Sequence, residues 1–585
     1  MSHFEPPIKD MLFALDQFIG LEQLKNIEGF DQEINKEFLA SIYNSAAEIA
    51  SEVIAPTNVD GDRIGVSLEK GQVSVPRGYK EAYEAYVSGG WPTLSCNPEF
   101  GGQGLPSLVS IPVNEMVMAA NFSWAHLVLL TNSAIRAVEA HANQSLKNLF
   151  LEKLISGRYS GTMNLTEAQA GSDLSVLNTA AVPNGDHYKI TGQKIFITWG
   201  EHDLSENIIH MVLARLPDAP EGVKGISLFL VPKYLVNEDR SLGERNSLEA
   251  LSIEHKLGIH GCATCVMNFE DATGYLVGEM NQGLSCMFTM MNDARIGVAC
   301  ESVAIAERAY QQALTYAKER VQGDVHGEQG RVTIIHHPDV RRMLLKMRSH
   351  IEIMRVLVYM NTLELDLAED DHRHSQRADL LTPITKGWCS ELCQEITSIG
   401  LQIHGGMGYV EETGAAQHFR DSRITTIYEG TTGIQANDLI GRKVIRDQGQ
   451  ELRRLIAEIS SEINALDSNK QHLQLIKESM THSITVVEKS LNYILQEQSK
   501  DPLLAGSASY NFLMMMGTFM GGWIAARSAV LALMNIKNND DSEFYEAKLV
   551  SSTFFIEQSL PLVDAYSKSL MSGSVSTMTL TEDQF

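Results

Sequence analysis

The segment from Thr425 to Gln435, TTIYEGTTGIQ, places a single carboxylate, Glu429, between an aromatic residue and a glycine. No basic residue occurs between Ile424 and Gln435, so the segment offers no local partner for an ion pair. A poorly solvated carboxyl group has a raised pKa, which suits it to remove a proton from a weak acid. We therefore interpret Glu429 as a candidate general base.

A second stretch, MNLTEAQAGSDLSVLNTAA at residues 163–181, combines hydroxyl groups, small residues and the pair Ser172-Asp173. A tight turn with free backbone N–H groups can bind a pyrophosphate without a lysine. Ser-Asp pairs are also common in ordinary turns. These residues alone support a phosphate site and a simple turn equally.

A third stretch, KIFITWGEH at residues 194–202, places Phe196 and Thr198 on one side of a strand. An aromatic face beside a hydroxyl group can stack on a planar cofactor and hydrogen-bond its edge. The alternative is an aromatic side chain that packs in the core of a sheet.

Other motifs narrow the chemistry. The sequence contains no strand–GxGxxG–helix unit, P-loop, HExxH, GxSxG or paired metal-ligand motif, so we expect no metal. HGGMGY at residues 404–409 is a glycine turn that allows close approach of the backbone to a ligand. Cys262 and Cys265 have CxxC spacing without a second pair, which favours a packed, reduced pair over a metal or redox site.

The hydrophobic period changes along the chain and predicts where these stretches lie. Residues 1–160 predict helices, residues 161–280 predict short β-branched strands of an antiparallel domain, and residues 281–446 predict long helices. A further helical region covers residues 447–585. The fold class is therefore mainly α with a β insert: an N-terminal helical domain, a middle β domain, a helical bundle with Glu429, and an extra C-terminal helical domain.

Size and charge exclude several classes of protein. At 585 residues the chain is too long for one hydrophobic core. Its formal net charge of −26 argues against binding to nucleic acid, which requires a basic face. The start, MSHFEPPIKD, lacks the features of a secretion signal, and seven scattered cysteines do not indicate a disulfide framework. We expect a cytoplasmic location.

One apolar stretch could suggest a membrane. Residues 502–526 carry no formal charge and include Gly517-xxx-Gly521, a spacing that lets helices pack closely. The strongly apolar part, residues 512–526, is too short to span a bilayer. We predict a buried helix without a membrane span.

Together these stretches resemble the acyl-CoA dehydrogenase family. The resemblance covers about residues 35–445, in the family's order: PEFGGQGLP, LTEAQAGSD, GQKIFIT, MMNDARIGVA, YAKER, QIHGGMGY and FRDSRITTIYEGTTGIQ. Within the family, the chain is most similar to the long subgroup that includes 3-methylmercaptopropionyl-CoA dehydrogenases. Three features support this: the N-terminal PPIKDMLFAL, the stretch from GYVEETGAAQHF onward and the C-terminal extension. Very-long-chain members also carry an extension, so both subgroups stay open.

The resemblance implies oxidation of an acyl-CoA thioester to a trans-2-enoyl-CoA, as in fatty acid β-oxidation. Glu429 matches the family's base, which takes the α-proton, while FAD accepts the β-hydride. The thioester carbonyl would be bound by the backbone N–H of Glu429 and a flavin ribityl hydroxyl.

The family's binding positions carry over residue by residue. The positions implied to bind FAD lie at the flavin, at its pyrophosphate or at its adenine side, or they reach the FAD of a neighbouring subunit. They are Met163, Leu165, Thr166, Ser172, Phe196, Thr198, Arg320, Gln402, Gly405, Gly406, Thr431 and Gly433. Those implied near the thioester and pantetheine of the substrate are Ser172, Asn292, Arg295, Tyr428 and Gly430.

The resemblance also implies partners. Electrons would pass to electron-transfer flavoprotein, and the chain would form a homo-oligomer. We expect a dimer, because the C-terminal helices would cover the surface that shorter members use in tetramers. An acyl-CoA oxidase with the same base and flavin would reduce oxygen instead, and the sequence does not exclude it. A DNA-associated flavoprotein on this fold would need a basic surface, which the charge of −26 does not provide.

Overall fold

The computed structural model describes residues 4–27, 30, 34–327, 330–368, 371–467, 471–536 and 541–585. They form two compact units. We call Phe4–Pro6 with Tyr43–Gly297 the sheet unit, and Pro7–Ile42 with Val298–Phe585 the helical unit. The mainly helical fold with a central β domain and C-terminal helices is confirmed. The four domain limits stay a prediction.

The sheet unit combines helices with one large sheet. Its α-helices are Asn58–Arg63, Tyr79–Ser88, Ser107–Ala120, Phe122–His141 and Gln144–Ile155. The main sheet has seven strands: Tyr159–Asn164, Ala180–Asn184, His187–Thr198, Asn207–Arg215, Ile226–Pro232, Leu248–Ile253 and Thr264–Val277. Two short ladders pair Ser67–Glu69 with Gln72–Ser74 and Tyr234–Val236 with Leu242–Arg245.

Most pairings in the main sheet are antiparallel, as expected. The predicted strand HYKITGQKIFIT coincides with His187–Thr198, and it pairs with Ala180–Asn184 across the predicted Asn-Gly turn. Gly185 has φ +68°, as the turn requires. Tyr159–Asn164 and Asn207–Arg215 pair in parallel instead, since the chain makes a crossover between them.

The helical unit carries the remaining long helices. Its α-helices are Ile8–Leu12, Pro338–Leu367, His372–His404, Ala415–Ser422, Thr432–Asn437, Gln450–Asn464, Gln471–Glu497, Leu504–Ile536, Ser542–Gln558, Leu562–Leu570 and Val575–Met578. The helices Lys36–Glu48 and Gly283–Glu319 each begin in one unit and end in the other.

Leu504–Ile536 is the one helix in the described ranges that is long and apolar enough to cross a membrane. Residues 512–526 are all buried within the helical unit. Gly517 packs on the indole of Trp388, and Gly521 packs on Trp388 and Phe555. The prediction that its glycines admit a close neighbour is confirmed. A buried core helix passes the same length and hydropathy test as a membrane span.

We expect Gly517→Ala to lower the free energy of unfolding by about 1–3 kcal/mol, because the added Cβ would overlap the ring of Trp388. Gly506→Ala in the same helix is the matched control. A Cβ there meets open space, so the change should leave stability unaltered or raise it by up to about 1 kcal/mol. Urea unfolding followed by circular dichroism measures both. Equal effects of the two variants would contradict the packing.

Candidate functional site

The Glu429 loop, residues 427–431, lies between the 3-10 turn Arg423–Thr426 and the helix Thr432–Asn437. Glu429 has φ +53° and Gly430 has φ +86°. A left-handed conformation is costly for glutamate, and such strain is often found at functional sites. Thr431 then caps the helix by accepting a hydrogen bond from the N–H of Ile434 at 3.2 Å.

A buried lysine fixes this loop. Lys386, in the middle of the helix His372–His404, has no exposed surface. Its ammonium group donates to the carbonyls of Thr425, Tyr428 and Gly430 at 2.8, 3.0 and 2.7 Å. Burying an ammonium group is costly unless its hydrogen bonds are made, so these contacts hold the loop firmly against the helix.

The remaining carbonyl of the strained pair is also bound. Gln435, which is buried, donates from Nε2 to the carbonyl of Glu429 at 3.2 Å. No described peptide bond is cis. In a trans peptide the N–H points opposite to the carbonyl of the preceding residue. Because the Tyr428 carbonyl points toward Lys386, the N–H of Glu429 points away from that lysine.

Two carboxyl groups lie near this loop. The side chain of Glu429 is half-buried, whereas Glu301 on the helix Gly283–Glu319 is only 1% exposed. The hydroxyl of Tyr428 donates a hydrogen bond to Glu301. Burial, with a smaller contribution from Glu429, raises the pKa of Glu301 to about 8. The fully buried acid is therefore not the one that the sequence singled out.

In the sheet unit, Phe196 lies at a β-bulge in His187–Thr198. The pairing with Thr264–Val277 shifts register between Cys265 and Met267, and Phe196 has φ +60°. Its ring is 58% exposed, so the alternative that it packs in the sheet core is wrong. Thr198 is half-buried and Ile197, between them, is buried, as the predicted alternation of faces requires.

A buried ion pair attaches the turn after Tyr159–Asn164 to this strand. Lys194 donates to the carbonyl of Leu165 at 3.0 Å and to Glu167 at 2.8 Å. The carbonyl of Thr166 accepts from the N–H of Ile195 at 2.9 Å. The structure therefore brings Leu165 and Thr166 beside the strand that carries Phe196.

The two partners of the ion pair have shifted pKa values. Burial opposes ionisation of Glu167, but Lys194 and hydrogen bonds from Thr179 and Asn178 hold its pKa at about 2. Burial lowers the pKa of Lys194 to about 8, against the opposing effect of Glu167. The sequence analysis identified neither residue. A lysine inside a predicted strand is a signal that could have indicated a buried ion pair.

Other predicted site residues in the sheet unit are placed as follows. Met163 is half-buried and lies in the strand Tyr159–Asn164, next to its last residue. Ser172 is exposed. Arg295 is buried, donates to Asn292 at 3.1 Å, and lies over the ring of Phe288 at 5.9 Å.

The other predicted FAD positions of the helical unit are spread over several elements. Arg320 is exposed just after the helix Gly283–Glu319, and Gln402 is exposed near the end of His372–His404. Gly405 and Gly406 follow, and a Cβ at either would meet open space. The structure thus brings Leu165 and Thr166 to the strand that carries Phe196 and Thr198. Gln402, Gly405 and Gly406 lie together where the helix His372–His404 ends.

Sequence reasoning missed Lys386, Gln435 and Glu301. The sequence carried a signal for the burial of Lys386 and Glu301, because each is a charged residue in an apolar stretch of a predicted helix. Gln435 lies in the segment already singled out.

The α–β–α order, the helical extension and the strained glutamate loop define a class of protein that comparison with known families identifies. The acyl-CoA dehydrogenase middle domain matches residues 162–272, the acyl-CoA dehydrogenase C-terminal domain matches residues 281–445, and the acetyl-CoA dehydrogenase C-terminal-like domain matches residues 455–581.

Two relatives span nearly the whole chain. A 3-methylmercaptopropionyl-CoA dehydrogenase of Ruegeria pomeroyi is 45% identical over 95% of this chain and 96% of its own. The broad-specificity linear acyl-CoA dehydrogenase FadE5 of Mycobacterium tuberculosis is 32% identical over 96% of each chain. An acyl-CoA dehydrogenase of Bacillus anthracis complexed with FAD superposes with a TM-score of 0.73, at 20% identity, over 95% of this chain and 91% of that one.

The chain belongs to the acyl-CoA dehydrogenase family, whose members are oxidoreductases acting on CH–CH bonds. It is similar to the long, C-terminally extended 3-methylmercaptopropionyl-CoA dehydrogenase over almost its full length.

We expect Glu167→Gln to reduce the free energy of unfolding by about 3–5 kcal/mol at neutral pH, because it leaves the Lys194 ammonium buried without its carboxylate. The folded-state pKa of Glu167 lies at about 2, below its ordinary 4.5. Its contribution is therefore present above pH 4.5 and is lost as the pH falls toward 2.

Urea unfolding at several pH values between 7 and 2 measures the difference in free energy of unfolding between the wild type and Glu167→Gln. The gap should close with decreasing pH, while the exposed control Glu221→Gln should show no gap at any pH. A gap that does not change with pH would refute the linkage.

Proposed function

We propose that this protein oxidises an acyl-CoA thioester to a trans-2-enoyl-CoA, with Glu429 as the base that removes the α-proton. The observation that carries the proposal is the Glu429 loop. Its backbone is held in a left-handed Glu-Gly turn by Lys386 and Gln435, and strain of this kind is common at functional sites.

The loop geometry suits proton abstraction. The half-buried carboxyl of Glu429 can reach a ligand without losing all contact with solvent. Fixing the loop by three lysine hydrogen bonds keeps the base in place, so little orientation has to be gained during the reaction. The proton passes from the α-carbon to a carboxylate oxygen of Glu429.

A donor for the thioester carbonyl follows from the same peptide plane. The N–H of Glu429 points away from Lys386, because the Tyr428 carbonyl points toward it. A fixed N–H of this kind stabilises the negative charge that develops on a thioester oxygen as the α-proton leaves. One peptide group therefore carries both the base and a donor.

The residues fit FAD as the cofactor. Phe196 is exposed at a strained bulge, Thr198 is half-buried two residues further along the strand, and the backbone of Thr166 binds that of Ile195. A flat ring system with polar edges suits such a surface. A Cβ at Gly171, next to Ser172, would meet open space, which leaves room for a phosphate. When bound, FAD supplies the hydride acceptor that protein side chains lack.

The full set of proposed FAD contacts is Met163, Leu165, Thr166, Ser172, Phe196, Thr198, Arg320, Gln402, Gly405, Gly406, Thr431 and Gly433. The FAD-bound relative of Bacillus anthracis supports the cofactor at the level of the fold.

For the substrate, we propose 3-methylmercaptopropionyl-CoA as the first acyl-CoA to test, because the relative with 45% identity bears that name. Arg295 and Asn292, which bind each other, would contact the pantetheine, with Ser172, Tyr428 and Gly430 near the thioester. Electron-transfer flavoprotein is the proposed acceptor. A cytoplasmic homodimer that serves β-oxidation is the proposed setting.

We expect Glu429→Gln to retain bound yellow flavin but to lose anaerobic bleaching by acyl-CoA at least about 100-fold, since a general base contributes roughly that factor or more. Glu546→Gln, at an exposed position, is the control and should bleach normally. The panel runs from 3-methylmercaptopropionyl-CoA to long linear acyl-CoAs. Unchanged bleaching in Glu429→Gln would exclude this residue as the base.

The same preparation distinguishes the acceptor. A dehydrogenase should turn over in air only when electron-transfer flavoprotein is added. Release of hydrogen peroxide at the full rate of turnover, without that partner, would identify an oxidase and reject the proposed acceptor.

A further inference from the structure

Glu301 is a carboxyl group in an apolar part of the helix Gly283–Glu319. Its neighbours in sequence, from Val298 to Cys300, are fully buried, and Glu301 itself is 1% exposed. Burying a carboxyl group is costly unless specific partners accompany it. The groups around Glu301 therefore indicate what it is for.

Two elements of the helical unit bring polar groups to Glu301. The Glu429 loop supplies the Tyr428 hydroxyl, which donates to Glu301, and the charge of Glu429. The helix His372–His404 supplies the ammonium group of Lys386 and the thiol of Cys393. The same Lys386 binds the carbonyl of Tyr428, so both ends of this tyrosine are held.

We propose that Glu301 is a positioning residue for Glu429: it holds the Glu429 loop through the hydrogen bond that the Tyr428 hydroxyl donates to it, and the charges of the two carboxyl groups act on each other. Its use in catalysis rests on the proposed function of Glu429 as the base.

The electrostatics follow from this geometry. Burial raises the pKa of Glu301 to about 8, the charge of Glu429 raises it further, and Tyr428 and Lys386 oppose both. Near pH 7 Glu301 is therefore mostly protonated, because burial and the charge of Glu429 both oppose its ionisation. A protonated Glu301 adds no negative charge beside the half-buried Glu429.

Infrared difference titration of the holoprotein tests the pair directly. The spectrum of the wild type minus that of Glu301→Gln identifies the protonated Glu301 band, which should disappear with a midpoint near pH 8. Glu429→Gln should move this midpoint to lower pH, since a like charge is removed. Tyr428→Phe should move it to higher pH, since a hydrogen bond to the carboxylate is lost. The exposed control Glu488→Gln should leave it unchanged.

Opposite shifts in the two variants support the pair, whereas a glutamate that interacts with neither Tyr428 nor Glu429 would respond to neither change. A midpoint near the ordinary glutamate value, or one that Glu429→Gln leaves in place, overturns the proposal. If Glu301→Gln does not fold, a carboxyl band whose midpoint moves to lower pH in Glu429→Gln and to higher pH in Tyr428→Phe still identifies Glu301, and the absence of such a band overturns the proposal.

Flavin bleaching by acyl-CoA gives a second test of the interaction between Glu301 and Glu429. The pH dependence of the bleaching rate should show an inflection near pH 8 in the wild type that Glu301→Gln removes. If the wild type is not bleached by any acyl-CoA, the proposed function fails, while the infrared titration still decides the pair. If the wild type is bleached and Glu301→Gln has the same pH profile, the coupling fails and the proposed function stands.

Stability provides a check that does not involve the reaction. The folded-state pKa of Glu301 lies above its unfolded value, so the stability that it contributes is present at low pH and is lost as the pH rises through about 8. Glu301→Gln should therefore gain in melting temperature over the wild type as the pH increases from 5 to 8. A difference that is constant over this range would contradict the titration.

Discussion

The structure of the candidate site depends on one buried cation, Lys386. Its ammonium group has no exposed surface and must replace its lost hydration with protein acceptors. Three carbonyls of the chain from Thr425 to Gly430 provide them. Directing these carbonyls inward constrains the backbone between them, and the left-handed turn at Glu429 is the result. The strain of that turn is thus offset by the solvation of a lysine on another helix.

The sheet unit uses a related arrangement. Lys194 is also fully buried, and it binds the carbonyl of Leu165 as well as the carboxylate of Glu167. The difference lies in the acceptors. Lys194 binds a carboxylate, whereas Lys386 binds three backbone carbonyls of one loop. Backbone acceptors fix the path of the chain that carries them, so Lys386 positions the Glu429 loop directly.

The sequence predicted the elements better than the contacts between them. The strand His187–Thr198 and its Asn-Gly turn follow from alternation and turn chemistry, and the buried helix with Gly517 follows from its apolar pattern. These are local signals. The bulge at Phe196 depends on the register of a partner strand more than 60 residues away, so the strand's own pattern does not contain it.

The same limit applied to the site. Glu429 was found because its segment is unusual in itself, and the resemblance of that segment to a family gave it a role. Lys386 and Glu301 lie 43 and 128 residues before Glu429 along the chain, so their relation to it appears only in the folded protein. A charged residue in an apolar helix is a signal of burial, but it does not reveal its partner.

Tyr428 is the point where these constraints meet. Its carbonyl accepts from Lys386 and its hydroxyl donates to Glu301, so the position of one tyrosine depends on a cation and on an acid. Ionisation of Glu301 would strengthen the hydrogen bond from the hydroxyl, because a charged acceptor binds a donor more tightly than a neutral one. Any such change acts on the residue that precedes Glu429, so the buried acid is linked to the proposed base through the backbone as well as through space.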